Sequence, residues 1–192
     1  MSKIQRAFGR RLSLGAIGVA LVLGQALGGP IRAETPPLLA VENDVARRWP
    51  NILHIPADQL VEAMKEDKVV LFDVREEQEY QVSHIRGALR INPAIAREEF
   101  LERHGGAIRG MMVVFYCAVG QRSSRLANRV ADGLKARGAT GVYNLRGGIF
   151  AWHDGAHPLV DGAGPTEHVH PYSQAWGRFL TRQHLLRFTP AR

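Results

Sequence analysis

The 192-residue chain contains a single cysteine, Cys117. One thiol excludes an internal disulfide framework and any zinc or iron–sulfur site built on several cysteines. No internal repeat and no low-complexity segment appears, so a repeat architecture has no footing in the sequence. Acids are missing altogether from residues 1–33, and the first is Glu34. The apolar run in that stretch, Leu12 to Leu27, is shorter than the roughly 20 residues a membrane-spanning helix needs. Wholesale disorder is excluded as well, because 45% of the residues are hydrophobic and only 22% charged, the balance of a packed chain.

What the chain does have is an excess of positive charge: 25 Lys and Arg against 18 Asp and Glu, a formal +7. Such a balance invites a nucleic-acid or anionic-membrane partner, but its distribution argues otherwise. Lys3, Arg6, Arg10, Arg11 and Arg32 sit in the acid-free start, and Arg178, Arg182, Arg187 and Arg192 in the tail beside Asp161 and Glu167. Residues 34–160 hold 16 cations and 16 acids, so no nucleic-acid partner is expected for them. A basic start, an apolar run and then small residues is the layout of a secretory signal peptide. Residues 1–33 are therefore expected to direct export, to the periplasm or out of the cell, with an uncleaved membrane anchor as the alternative. Cleavage fits after Ala33 or after Ala26, where Gly24 completes a small-x-small pattern. Arg10-Arg11 faintly resembles a twin-arginine signal and leaves the export route open. Removing residues 1–33 takes five cations and no acid, so +7 falls to +2.

The remainder divides into a polar, proline-bearing lead-in (34–50), a domain over 51–160 and a basic tail (161–192). Within the domain, apolar strand-like runs alternate with helical periodicity. Ile52 to Ile55 reads as a short strand, followed by a helix from Ala57 through Met64. Val69-Val70-Leu71-Phe72, ending at Asp73, is the continuous apolar run of a strand buried on both faces. Ala88 to Ile91 is a weaker strand, Ala96 to Arg103 a short helix, and Met111 to Tyr116 the clearest strand. Ser123 to Arg137 reads as an amphipathic helix through Leu126, Val130 and Leu134, and Val142 to Leu145 as a last strand. This alternation implies an α/β fold, a mainly parallel central sheet with helices on both faces. Ligands of such sheets bind beyond the carboxyl ends of the strands, where Asp73 and Cys117 both fall.

The chemistry concentrates in Cys117-Ala118-Val119-Gly120-Gln121-Arg122-Ser123, between a buried strand and a helix. Such a loop can turn several backbone N–H groups inward, toward the positive end of the following helix. Gly120 permits the turn, Ser123 or Ser124 can cap the helix, and Arg122 brings a planar donor fork suited to oxyanions. Together they favour a thiolate at Cys117 and a cradle for an anionic substrate above it.

These residues resemble the C-x-x-G-x-R-[ST] active-site pattern of the rhodanese-like family. Two flanking stretches are similar to that family's other signatures. One is Leu71-Phe72-Asp73-Val74-Arg75-Glu76 with Ser83-His84-Ile85-Arg86-Gly87-Ala88; the other is Leu145-Arg146-Gly147-Gly148-Ile149-Phe150-Ala151-Trp152. The chain departs from the family at Ser83 and Arg86, where Gly and Pro are usual. The resemblance implies a sulfurtransferase in which Cys117 carries sulfur as a persulfide. Its Ala118–Ser123 loop would bind a small anionic donor such as thiosulfate, and a thiophilic acceptor would discharge it. No metal or organic cofactor is implied. Related phosphatases use a loop one residue longer than the four residues between Cys117 and Arg122, so phosphate chemistry is disfavoured. A protein-partner sulfur relay or redox sensor, and a non-catalytic interaction module, remain as alternatives. Asp73 and Arg75 are expected to pin the loop's surroundings, Gly147 and Gly148 to allow close packing, and His84 and Trp152 to be structural. His153 with His157, and His168 with His170, read as solvated pairs. The tail's Trp176, Phe179, Leu180, Leu185, Leu186 and Phe188 are spaced for an amphipathic helix, packed back on the domain or presented to a protein partner or membrane surface.

Overall fold

The computed structural model describes residues 37–190; the expected export segment and both cleavage points lie outside them. In chain order these residues form α1 (Pro37–Arg48), β1 (Leu53–Ile55), α2 (Ala57–Met64), β2 (Val69–Asp73), α3 (Glu77–Val82), β3 (Leu89–Arg90) and α4 (Arg97–His104). There follow β4 (Met112–Tyr116), α5 (Gln121–Ala136), β5 (Gly141–Leu145), α6 (Gly148–Asp154), β6 (Leu159–Val160), β7 (Pro165–Thr166) and α7 (Gln174–Gly177). A 3-10 turn at Gln183–Leu185 ends the series.

The first five strands make one sheet in the order β1-β5-β4-β2-β3, with every neighbouring pair parallel. The apolar runs of β2 and β4 lie side by side, from Val69 opposite Met112 to Asp73 opposite Tyr116. Alternate residues serve opposite faces. Phe72, Val113 and Phe115 enter one core cluster with Phe100 of α4 and Leu126, Val130 and Leu134 of α5. Leu71, Val114 and Tyr116 enter a second with Leu60 of α2 and Ile149, Phe150 and Trp152 of α6. This double burial is why the runs are continuously apolar rather than alternating. Phe72 meets Phe100 edge to face at 5.1 Å and stacks on Phe115 at 5.2 Å between ring centres, and full burial of such a side chain contributes about 1.5–3 kcal/mol. The β2–β4 register puts Asp73 and the residue after Tyr116, Cys117, on the same carboxyl edge.

Two segments differ from expectation. The lead-in is largely helical: α1 opens with Pro37 at its first position, where a missing N–H costs nothing, and inserts Val45 into the interior. Glu42 of α1 accepts from Arg146 Nε at 2.9 Å, fixing the helix to the end of β5. In the tail, no amphipathic helix forms over the described residues. After the β6–β7 hairpin comes only the four-residue α7, and then the 3-10 turn. Its apolar residues cover the second core cluster one by one, with Val169 and Leu180 buried and Trp176, Phe179 and Leu186 packed against it. A single helical stripe could not reach these separate gaps. A parallel bridge between Val169 and Leu186 folds the segment back on itself.

Candidate active site

Cys117 follows β4 directly and is buried. The chain then turns through Ala118, Val119 and Gly120 into α5. Gly120 holds the left-handed conformation (φ 96°) and is the residue that starts the helix. That corrects the expected cap: Ser123 and Ser124 lie inside the first turn of α5, fully buried, and Ser123 Oγ donates to Asn144 Oδ1 at 2.6 Å. Asn144 in turn lies against Gly120, where a Cβ would come within 2.8 Å of its amide nitrogen.

The loop's orientation is set from the other side by α6. The carbonyls of Cys117 and Ala118 accept from the N–H groups of Ile149 (2.9 Å) and Phe150 (3.1 Å). In planar trans peptides each following N–H points the opposite way, so the N–H groups of Ala118 and Val119 face away from α6. Those of Gln121, Arg122 and Ser123 add to them, since the opening N–H groups of a helix have no acceptor within it. Gly148 makes this clamp possible: with φ 58°, its missing Cβ would lie 2.4 Å from the Cys117 carbonyl oxygen and 2.5 Å from that of Ala118. Gly147 and Gly148 thus serve the close packing read from the sequence.

Arg122 does not stand as a free oxyanion fork. Its Nη1 and Nη2 donate to the two carboxylate oxygens of Glu79 at 2.7 and 2.8 Å, and the Tyr172 ring lies 4.9 Å from its guanidinium carbon. Burial lowers the Arg122 pKa, but the hydrogen bonds and the negative charge of Glu79, with the neighbouring Cys117 sulfur, outweigh it and hold the guanidinium above its ordinary value. Burial raises the Glu79 carboxyl, yet Arg122, Arg75 and the Glu76 N–H bring it below the usual carboxylate range.

Asp73 and Arg75 form a fully buried pair beneath this site. Arg75 Nε donates to Asp73 Oδ1 at 2.8 Å and its Nη2 to the Ser83 carbonyl at 2.7 Å. The guanidinium lies against the Tyr116 ring, 5.6 Å from its centre. The pair therefore ties the carboxyl end of β2 to the end of α3, the helix that carries Glu79.

A cavity of about 170 Å³ opens over the thiol, lined by Cys117, Ala118, Val119, Gln121, Arg122, Tyr172 and Trp176. Gly120 and Ser123, read with them from the sequence, build the loop without lining the cavity. Sequence reasoning missed Glu79, Asn144, Tyr172 and Trp176. Glu79 is hidden in the acidic run Glu76-Glu77-Gln78-Glu79, which looks like a solvated helix face. The two aromatics belong to the tail, where Trp176 showed only an apolar spacing and Tyr172 carried no signal at all. Two histidines also depart from the solvated reading. His153 is buried with Nε2 3.0 Å from the Glu167 carbonyl oxygen, and His170 is buried with Nδ1 accepting from the Tyr172 N–H at 3.0 Å. Both are enclosed because the tail returns across them.

Comparison with known proteins agrees with this geometry. The model of the rhodanese-like domain matches residues 56–155, more than half of the chain. A tRNA uridine(34) hydroxylase of Bacillus velezensis is 29% identical over 126 residues, 65% of this chain and 37% of that protein. One from Shouchella clausii is 31% identical over 133 residues, 68% of this chain and 39% of that protein. The chain thus spans little more than a third of the length of these curated relatives. Among solved structures, a thiosulfate sulfurtransferase from Pseudomonas aeruginosa is similar at 22% identity with a TM-score of 0.49, over 77% of this chain and 27% of that one. With its three signatures gathered at one sheet edge and the family model spanning most of the sheet, the chain belongs to the rhodanese-like domain family.

Proposed function

We propose that the protein is an exported sulfurtransferase. It would move sulfane sulfur from thiosulfate or a persulfide donor to a thiophilic acceptor through a persulfide on Cys117. The observation that carries this reading is the position of the thiol, inside a loop whose carbonyls are bound to α6 and whose N–H groups are left for an anion. The Cys117 thiolate attacks the outer sulfur of the donor, and the sulfur–sulfur bond breaks. Its electron pair leaves on sulfite when the donor is thiosulfate. The terminal sulfur of the Cys117 persulfide, which carries the negative charge, takes the loop N–H groups as hydrogen-bond partners. Cyanide or a thiolate then attacks that sulfur, and the electron pair returns to Cys117. Neither step calls for a cofactor.

Export rests on the layout of residues 1–33, and a lone thiol kept for persulfide traffic is consistent with an oxidising compartment. Action on tRNA is not part of the proposal. The match covers little more than a third of the relatives that carry that name, and residues 34–160 have no net charge to attract RNA. The test is intact-mass analysis after incubation with thiosulfate, beside Cys117→Ser. The parent alone should gain one sulfur atom and lose it to cyanide. Absence of an adduct from every sulfane donor would refute the reading, and turnover of an aryl phosphate would replace it with phosphatase chemistry. Finding the unprocessed chain in the cytoplasm after fractionation would remove the export claim.

A further inference from the structure

The aromatic wall of the thiol pocket lies beyond the family match, which ends at residue 155. Tyr172 and Trp176 sit on a segment tied down along its length. Val169 is bridged to Leu186, Leu180 is buried, and Thr181 N–H donates to Asp154 at 3.0 Å. Near the chain's end, Gln78 Nε2 donates to the Phe188 carbonyl at 2.8 Å. A segment held at so many points is a fixed wall rather than a flap. The cavity it closes, about 170 Å³, is below the roughly 300–1,000 Å³ of drug-sized ligand sites.

The wall also alters the charge a donor meets. Arg122 gives one N–H from each terminal nitrogen to Glu79, whose carboxylate offsets its charge, and Tyr172 covers its face. An entering anion therefore meets backbone N–H groups and a guanidinium whose charge Glu79 already offsets. Thiosulfate brings two negative charges and no apolar body, so it surrenders strong hydration for little. A thiosulfonate carries one charge and offers its organic group to the aromatic wall.

We infer that Tyr172 and Trp176 are specificity-determining residues that select small, singly charged sulfur donors with an apolar or aromatic body over dianionic thiosulfate. The inference rests on the Cys117 persulfide reading. With benzenethiosulfonate, the Cys117 thiolate bonds to the outer sulfur and the sulfur–sulfur bond breaks. The electron pair leaves on benzenesulfinate, so charge is conserved and no external oxidant or reductant enters.

The experiment measures kcat/KM for persulfide formation on the full chain with benzenethiosulfonate and with thiosulfate. Parent, Tyr172→Ala, Trp176→Ala and Trp176→Phe are compared by intact mass. The two donors differ in intrinsic reactivity, so the change in their ratio on truncation decides. The parent should favour the aryl donor, and each alanine variant should lower the ratio by about tenfold or more, chiefly through KM. Trp176→Phe should keep most of it. Tyr172 is 50% exposed, so its truncation spares the core and decides the question should Trp176→Ala fail to fold. A ratio unmoved or shifted toward the aryl donor by truncation overturns the inference and leaves the persulfide reading standing. No adduct from either donor overturns the inference, and no adduct from a persulfide donor as well overturns both.

Discussion

Replacing Gly148 by alanine should damage the thiol loop without touching the thiol. The new Cβ would come within 2.4 Å of the Cys117 carbonyl oxygen and 2.5 Å of the Ala118 one. Backbone atoms cannot swing aside as a side chain can, so the loop must retreat and loosen its bonds to Ile149 and Phe150. The left-handed backbone costs about 1–2 kcal/mol for a residue with a Cβ, and the two hydrogen bonds about 0.5–1.5 kcal/mol each. Together that is about 2–5 kcal/mol, a fall in Tm on the order of 10 °C for a domain of this size. Displacing the nucleophile by about 1 Å should slow persulfide formation on the order of 100-fold. The control is Gly87→Ala, where φ is also positive (79°) but nothing lies within 4 Å of the added Cβ. It should lose only the conformational part and keep its rate. Thermal unfolding by circular dichroism and the rate of mass gain from a sulfane donor, read on both variants, give the answer. Equal Tm losses together with a parental rate for Gly148→Ala would refute the idea that the carbonyl clamp positions the loop.

Three further outcomes are expected. Asp73→Asn removes one charge of a pair with no solvent exposure on either side chain and should destabilise by about 3–5 kcal/mol, read from the urea midpoint. Glu79→Gln should cost less, since Arg122 keeps 24% side-chain exposure. By releasing the Arg122 fork toward the cavity it should lower the KM for thiosulfate, and a raised KM would contradict the neutralised-fork argument. Burial holds His54, His84 and His170 below their ordinary 6.5, so the unfolded chain takes up their protons first. Stability is therefore full above about pH 6.5 and falls as pH drops through that value toward the folded pKa values. Glu79 and Asp154, also held low, add a second loss as pH falls below about 4.5. Calorimetry from pH 8 down to about 2.5 should show both declines, and a flat Tm from 8 to 5 would refute the histidine argument.

Much of the fold and the centre of the site could be read locally. A run such as Val69–Phe72 or Met112–Tyr116 satisfies two faces with its own residues, so its burial is written in the run itself. The spacing of Leu126, Val130 and Leu134 likewise marks the inner face of α5, and Cys117 to Arg122 encloses an anion-sized loop between strand and helix. Boundaries moved where long-range packing chose them. α5 opens at Gln121 because Gly120 turns over Asn144, a neighbour supplied by β5.

Local patterns already carry the chemistry of the site: a lone thiol, a loop of fixed length, and the strand and helix that hold it. What surrounds that thiol emerges only when distant segments pack together. Glu79 reaches Arg122 from 43 residues away, and Tyr172 and Trp176 reach the cavity from the tail. A segment's own pattern records what it needs to bury, whereas charge pairing and cavity walls depend on which distant surfaces meet. An acid in a polar run and aromatics in a tail carry no mark of that meeting until the chain has folded.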